Sequence, residues 1–224
     1  MSGVWVVIAA YNEAPRLAAT LRDLCPQWPD VVVVDDGSSD GTLAAALAFP
    51  VWALRHPVNC GQGAALRTGI RFALEKGAEV VVTFDADGQH DAGEIARLVA
   101  PVQEGRAEVA LGSRFLGRAE GIPWTRRLLL RAAVIFTRLF SGVRVTDTHN
   151  GLRALSRRAA ELIRLDSDRM AHASELIDQL RVHRLSYCEV PVTVRYTQVT
   201  LAKGQGSLNS LKVAGQLLLG RLLP

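Results

Sequence analysis

Residues 80–90 read Val80-Val81-Val82-Thr83-Phe84-Asp85-Ala86-Asp87-Gly88-Gln89-His90. The first five are apolar and mostly β-branched, the composition of a strand buried on both faces. Two carboxylates, two residues apart, follow at its tip. Open α/β sheets bind ligands outside the C-terminal ends of their strands. A carboxylate pair placed there can hold a hard divalent cation that also takes substrate phosphate oxygens. The stretch therefore points to a metal-dependent enzyme acting on a nucleotide diphosphate; the plainer alternative is a turn built from Asp and Gly.

The flanking sequence repeats this pattern. Apolar strands are expected at 4–10, 31–35, 51–55, 79–84 and 107–112, with amphipathic helices at 13–24, 40–48, 62–76 and 92–104. Alternation of this kind predicts βαβ units around a mostly parallel sheet flanked by helices, a Rossmann-like α/β fold. The second half differs: a Gly/Pro-containing loop at 117–123, helices at 124–140, 156–164 and 171–183, one or two strands within 186–197, and a last amphipathic helix at 208–223. No linker divides the chain. The expected organisation is one domain over 1–207, with a donor-binding half (1–115) and an acceptor half (116–207), followed by a C-terminal helix at 208–224.

The 224 residues suffice for a substantial core, and 49% hydrophobic with 21% charged residues is ordinary for a globular protein. Cys25, Cys60 and Cys188 show no metal-type or disulfide spacing, which fits a reducing compartment. No run reaches the roughly 18 apolar residues of a spanning helix, and the short apolar stretch 4–10 lacks the basic flank of a signal peptide. The expected location is cytoplasmic, at most peripheral on the membrane. The net charge is +4 and rests mainly on arginine, the residue suited to bidentate phosphate recognition. With aromatics at 6% and none interleaved with the basic residues, a nucleic-acid partner is not expected.

Two further segments carry chemistry. Val31–Val34 runs into Asp35-Asp36-Gly37-Ser38-Ser39-Asp40-Gly41-Thr42, where Asp36 can accept from the ring N–H of uracil or guanine and Asp40 reads as a cap for the next helix. Asn59-Cys60-Gly61-Gln62-Gly63 opens the helix at 62–76; its glycines allow close backbone approach to an anion, or simply make a turn.

Taken in order, Ala10-Tyr11-Asn12-Glu13, the Val-Asp-Asp-Gly-Ser-Ser-Asp-Gly-Thr stretch, Asn59-x-Gly61-x-x-x-Ala65-x-x-x-Gly69, Asp85-Ala86-Asp87-Gly88-Gln89-His90 and Gly112-Ser113-Arg114 resemble family 2 glycosyltransferases of the GT-A fold. The likeness runs over roughly residues 4–197 and leans toward the dolichol-phosphate mannosyltransferase, or polyprenyl-phosphate glycosyltransferase, branch. It implies that Tyr11, Glu13 and Asp36 line the nucleoside pocket, with Gly61 also at the donor. Asp85, Asp87 and Gln89 would hold Mg²⁺ or Mn²⁺ against the diphosphate, and Arg114 would contact phosphate. Asp147 and Arg153, in Asp147-Thr-His-Asn-Gly-Leu-Arg153, match a later family pattern. Lys203, before Gly-Gln-Gly-Ser, sits where a basic residue reaches phosphate. The chain departs from the family at Ala9, where Pro is common, and at Asn150 and Leu152.

Within 124–140, Arg127, Arg131 and Arg138 project within roughly 40° of one another on a helical wheel, with leucines, Ile135 and phenylalanines over most of the remaining arc. This suits a membrane interface or a lipid phosphate; a core-packed helix with one basic edge is the alternative. The leucine face of the last helix reads as an interfacial anchor or a packing face. His90 and His172 are expected to be structural, while Glu175 and Asp147 are acceptor-side candidates for catalysis.

The reaction this implies is metal-dependent transfer of a hexose, with inversion, from a GDP-mannose or UDP-glucose type donor to a polyprenyl or dolichyl phosphate. Alternatives are transfer to a sugar hydroxyl in polysaccharide or glycolipid synthesis, a pyrophosphorylase-like nucleotidyltransferase, and a non-catalytic nucleotide-sugar-binding module.

Overall fold

Seven strands form a single sheet in the order β3-β2-β1-β4-β6-β5-β7; the computed structural model describes residues 3–165 and 171–196. The strands are β1 (Val4–Ala10), β2 (Val31–Asp35), β3 (Trp52–Arg55), β4 (Val80–Asp85), β5 (Val109–Glu120), β6 (Arg153–Ser156) and β7 (Tyr187–Arg195). Between them lie α1 (Ala14–Leu24), α2 (Thr42–Leu47), α3 (Gln62–Glu75), α4 (Ile95–Gln103), α5 (Trp124–Ser141), α6 (Arg157–Leu162) and α7 (Ala171–Val182). Every neighbouring pair is parallel except those made by β6, which runs against both β4 and β5.

Side chains alternate along β1 between two separate cores. Val4, Val6 and Ile8 pack with Leu17 and Leu21 of α1 and with Leu98 of α4. Trp5 and Val7 pack with Leu66 and Ile70 of α3 and with Leu176 and Leu180 of α7. A sheet covered on both faces needs apolar residues at every position, which is why the valine runs read as strands.

The topology places the site. From β1 the chain winds outward to β2 and β3. Helix α3 then returns it across the sheet to β4, on the other side of β1. Strand order reverses between β1 and β4, and such a switch point opens a crevice at the strands' C-terminal ends. Register sets the tips level: Ala10 pairs with Asp35, Ala9 with Asp85, and Asp35 with Arg55.

Two elements differ from expectation. The stretch 117–123, expected as a loop, is strand up to Glu120. After a register shift between Ser113 and Arg118, β5 resumes pairing with Thr193–Arg195 of β7; long-range pairing overrides the weak local propensity of a Gly-containing segment. Strand β6 is not apparent from sequence, because its four residues, Arg-Ala-Leu-Ser, become a strand only by slotting between β4 and β5. It also ties the two expected halves into one sheet. Lys203, the His172 side chain and the expected helix 208–224 lie outside the described residues.

Candidate active site

The loops after β1 and β2 are buttoned together. Asn12, in the left-handed region at φ 53°, donates its backbone N–H to Ser38 Oγ at 3.0 Å, and its side-chain oxygen accepts from the Ser39 N–H at 3.0 Å. The Glu13 N–H donates to Thr42 Oγ1. Asp40 caps both neighbouring helices, accepting from the Thr42 N–H at 2.9 Å and the Ala14 N–H at 3.3 Å. Tyr11 is left exposed at the rim and Glu13 half-buried beside it.

Asp36 is buried and organises the next loop. Its Oδ1 accepts from the Cys60 N–H at 2.9 Å, its Oδ2 from the Gly61 N–H at 2.8 Å, and His56 Nδ1 lies 2.7 Å from Oδ1. Gly61 has φ 92°, which side chains resist; this turn aims two successive N–H groups at one carboxylate ahead of α3.

At the tip of β4, Asp85 and Asp87 are half-buried. Burial pushes the Asp87 carboxyl up to about 6, with the Asp85 charge and Glu13 adding to it and the Gln89 N–H and His90 opposing it. The Gln89 N–H donates to Asp87 Oδ1 at 3.0 Å. His90, its side chain 2% exposed, lies 3.5 Å from Asp85 Oδ2 and stacks edge-on against Phe84. Behind Asp85 the wall is Gly151, where a Cβ would fall 2.0 Å from Asp85 Oδ2. Thr83 holds that wall by donating to the Gly151 carbonyl at 2.6 Å. Two carboxylates crowded into a half-buried place, one of them resisting ionisation, are a donor set that suits a hard divalent cation.

Arg153 opens β6 and is buried. Burial lowers its pKa, while the charges of Asp85 and then Asp147 raise it. It is the charge linking the β4 tip to the second half of the sheet. There, Arg114 of β5 donates from its backbone N–H (3.1 Å) and Nε (2.6 Å) to Asp147 Oδ2, from one terminal nitrogen to the His149 carbonyl (2.7 Å), and from the other to the Tyr196 hydroxyl. Burial alone would lower the Arg114 pKa, but Asp147 and Tyr196 reverse this and raise it. Glu189 of β7 accepts from the Thr146 N–H and Oγ1 and from the Asp147 N–H.

The structure thus gathers Glu13, Asp85, Asp87, Gln89 and Arg153 at one end of β4 and joins Arg114 to Asp147. Glu175 sits half-buried on α7. Sequence reasoning did not find Gly151, Glu189, Tyr196 or His56. Of these, only Gly151 left a trace, as the glycine inside the Asp147–Arg153 pattern.

The sequence profile of "Glycosyl transferase family 2" matches residues 5–164. This chain belongs to glycosyl transferase family 2. This chain is similar to a UDP-N-acetylglucosamine–dolichyl-phosphate N-acetylglucosaminyltransferase of Methanococcus voltae, 30% identical over 96% of this chain and 95% of its own. Also similar is a polyprenol monophosphomannose synthase of Mycolicibacterium smegmatis, 35% identical over 90% of this chain and 81% of its own. Among solved structures, glucosyl-3-phosphoglycerate synthase of Mycobacterium tuberculosis with Mn²⁺ and UDP-glucose superposes with a TM-score of 0.72 at 21% identity, covering 98% of this chain and 77% of that one. The fold is GT-A, and the family 2 membership makes this chain a glycosyltransferase.

Proposed function

We propose that this glycosyltransferase moves a hexose, with inversion, from a nucleotide diphosphate sugar to a polyprenyl phosphate at a membrane surface. The observation that carries the reading is the half-buried Asp85–Asp87 pair at the sheet's switch point, with Arg153 between it and Asp147. The name of the M. voltae relative gives dolichyl phosphate as its acceptor, and that of the M. smegmatis relative gives polyprenol monophosphomannose as its product.

Tyr11, Glu13 and Asp36 surround the nucleoside, and Gly61 carries the backbone beside it. Asp85, Asp87 and Gln89 hold Mg²⁺ or Mn²⁺, which when bound offsets charge on the departing diphosphate. Arg153 adds a fixed positive charge behind that site. Arg114 and Asp147 together shape the acceptor side. A phosphate monoester is already anionic near neutrality and attacks the anomeric carbon with little help from a base. This agrees with the commitment of Asp147 to Arg114; a sugar hydroxyl acceptor would need a free base.

Helix α5 supports a lipid acceptor. Trp124, Leu128 and Ile135 are 77%, 63% and 58% exposed, while Val134 and Thr137 turn inward. Arg127, Arg131 and Arg138 are exposed beside them, and α5 contains no acidic residue. An exposed apolar stripe whose charged flank is arginine fits the interface of an anionic bilayer. Among the described residues no helix is long and apolar enough to cross a membrane.

The test is a panel of labelled nucleotide sugars with Mn²⁺ and a short-chain polyprenyl phosphate, following label into the organic phase. Transfer with one donor is expected. Label reaching only a sugar hydroxyl acceptor would replace this reading with the polysaccharide one.

A further inference from the structure

A second group of ligand atoms includes neither Asp85 nor Asp87. Asp36, His56 and Cys60 each offer one, and the three atoms lie within 4.8 Å of one another. The Asp36 and His56 side chains are 3% and 15% exposed; Cys60 is exposed, with its Sγ 3.4 Å from the Val58 carbonyl. The thiol is held there by its own backbone, since the Cys60 N–H donates to Asp36.

Proton counting shows what the imidazole can offer. Thr68 Oγ1 is 3.0 Å from His56 Nε2 and 3.0 Å from the Ala64 carbonyl one turn back. The hydroxyl has one proton to give. Donated to Ala64, it leaves Thr68 accepting from His56 Nε2–H. His56 Nδ1 then turns its lone pair toward an anionic oxygen 2.7 Å away. Either a proton on Nδ1 or a cation bound by both groups resolves that contact. An imidazole whose other N–H is anchored by an acceptor is the usual arrangement of a metal-bound histidine.

One sulfur, one nitrogen and one carboxylate oxygen select a borderline cation; magnesium and calcium prefer oxygen alone. We propose that Asp36, His56 and Cys60 form a site for a dication of the zinc class, with a fourth position open to water. Its effect on catalysis rests on the donor-pocket assignment above: an ion on Asp36 occupies a carboxylate oxygen that a uracil or guanine ring would use, so ion and donor compete.

The experiment uses the full chain, reduced and metal-free, with excess Mg²⁺ present to fill the hard-oxygen site. Co²⁺ is titrated while its thiolate charge-transfer absorption is followed, and Zn²⁺ is then used to displace it. The expected result is one Co²⁺ per chain with the thiolate band. The band should be lost in Cys60→Ser, with zinc affinity at least about tenfold weaker. A band that survives in Cys60→Ser would place the ion on Cys25 or Cys188 and overturn the proposal, as would unchanged zinc affinity. Adding UDP and GDP separates the two ideas. Competition with zinc supports both; an intact band without competition leaves the cation site standing and removes Asp36 from the nucleoside pocket.

Discussion

Arg114 Nε and Asp147 Oδ2 meet at 2.6 Å with side chains only 6% and 1% exposed, joining residues 33 positions apart in the chain. Removing one partner of a buried pair leaves the other charged and uncompensated, typically costing about 3–5 kcal/mol. Arg114→Met should therefore lower unfolding stability in urea by that amount. Arg114→Lys should lose part of it, because an ammonium cannot reach Asp147, His149 and Tyr196 at once. The double variant Arg114→Met/Asp147→Leu should cost less than the sum of the single changes; additive losses would show that the two do not act as a pair.

Asp87→Ala should reduce transfer by at least about a hundredfold while leaving the far-ultraviolet circular dichroism unchanged. Near-normal metal-dependent turnover in that variant would remove Asp87 from the metal site.

The same residue predicts a pH dependence of stability. Asp87 titrates near 6 in the folded chain against 3.8 ordinarily, so between those values the native state keeps a proton that the unfolded chain releases. Asp87 therefore makes the metal-free fold less stable as pH rises through this window. Asp87→Asn should melt higher than the parent at about pH 7.5, with the ionisation difference vanishing below about pH 4. Mn²⁺ should raise the parent's melting temperature more at about pH 7.5 than at about pH 5, because protons compete for the ligand.

Gly151→Ala should expel Asp85 from its place, since the added methyl would sit 2.0 Å from its carboxylate oxygen. Mn²⁺ affinity, read by electron paramagnetic resonance, should fall at least about tenfold, the lower end of the loss seen when a ligand's support is removed. Unaltered Mn²⁺ binding would mean that Asp85 is not a ligand or that it moves without consequence.

Leu128→Glu/Ile135→Glu should abolish flotation with vesicles rich in phosphatidylglycerol, and added salt should weaken the parent's binding. Equal flotation of parent and variant would exclude α5 as the membrane-facing element.

The strands β1, β2 and β4 are legible in sequence because each is apolar apart from Thr83 and ends in polar residues at the strand tips. Asp85 and Asp87 are legible for the same reason. Gly151 is not, because its importance lies in what an absent side chain would strike, and that neighbour is 66 positions away in sequence. Glu189 and Tyr196 are invisible for a related reason: they act on the segment around Thr146–Asp147 and on Arg114 only after β7 has paired with β5. His56 reads as one polar residue after a short strand until folding sets it between Asp36 and Thr68.

The reversed strand β6 limits how this enzyme can diversify. Because it lies between β4 and β5, a recombination junction near residue 115 would exchange the middle of the sheet along with everything that follows it. Chimeras that swap 116–207 between relatives should therefore fail to fold unless the incoming β6 matches the resident β4 and β5. If the second half receives the acceptor as proposed, new acceptor preferences are more accessible through substitutions in α5 and the Val143–Asn150 segment than by exchanging that half as a cassette.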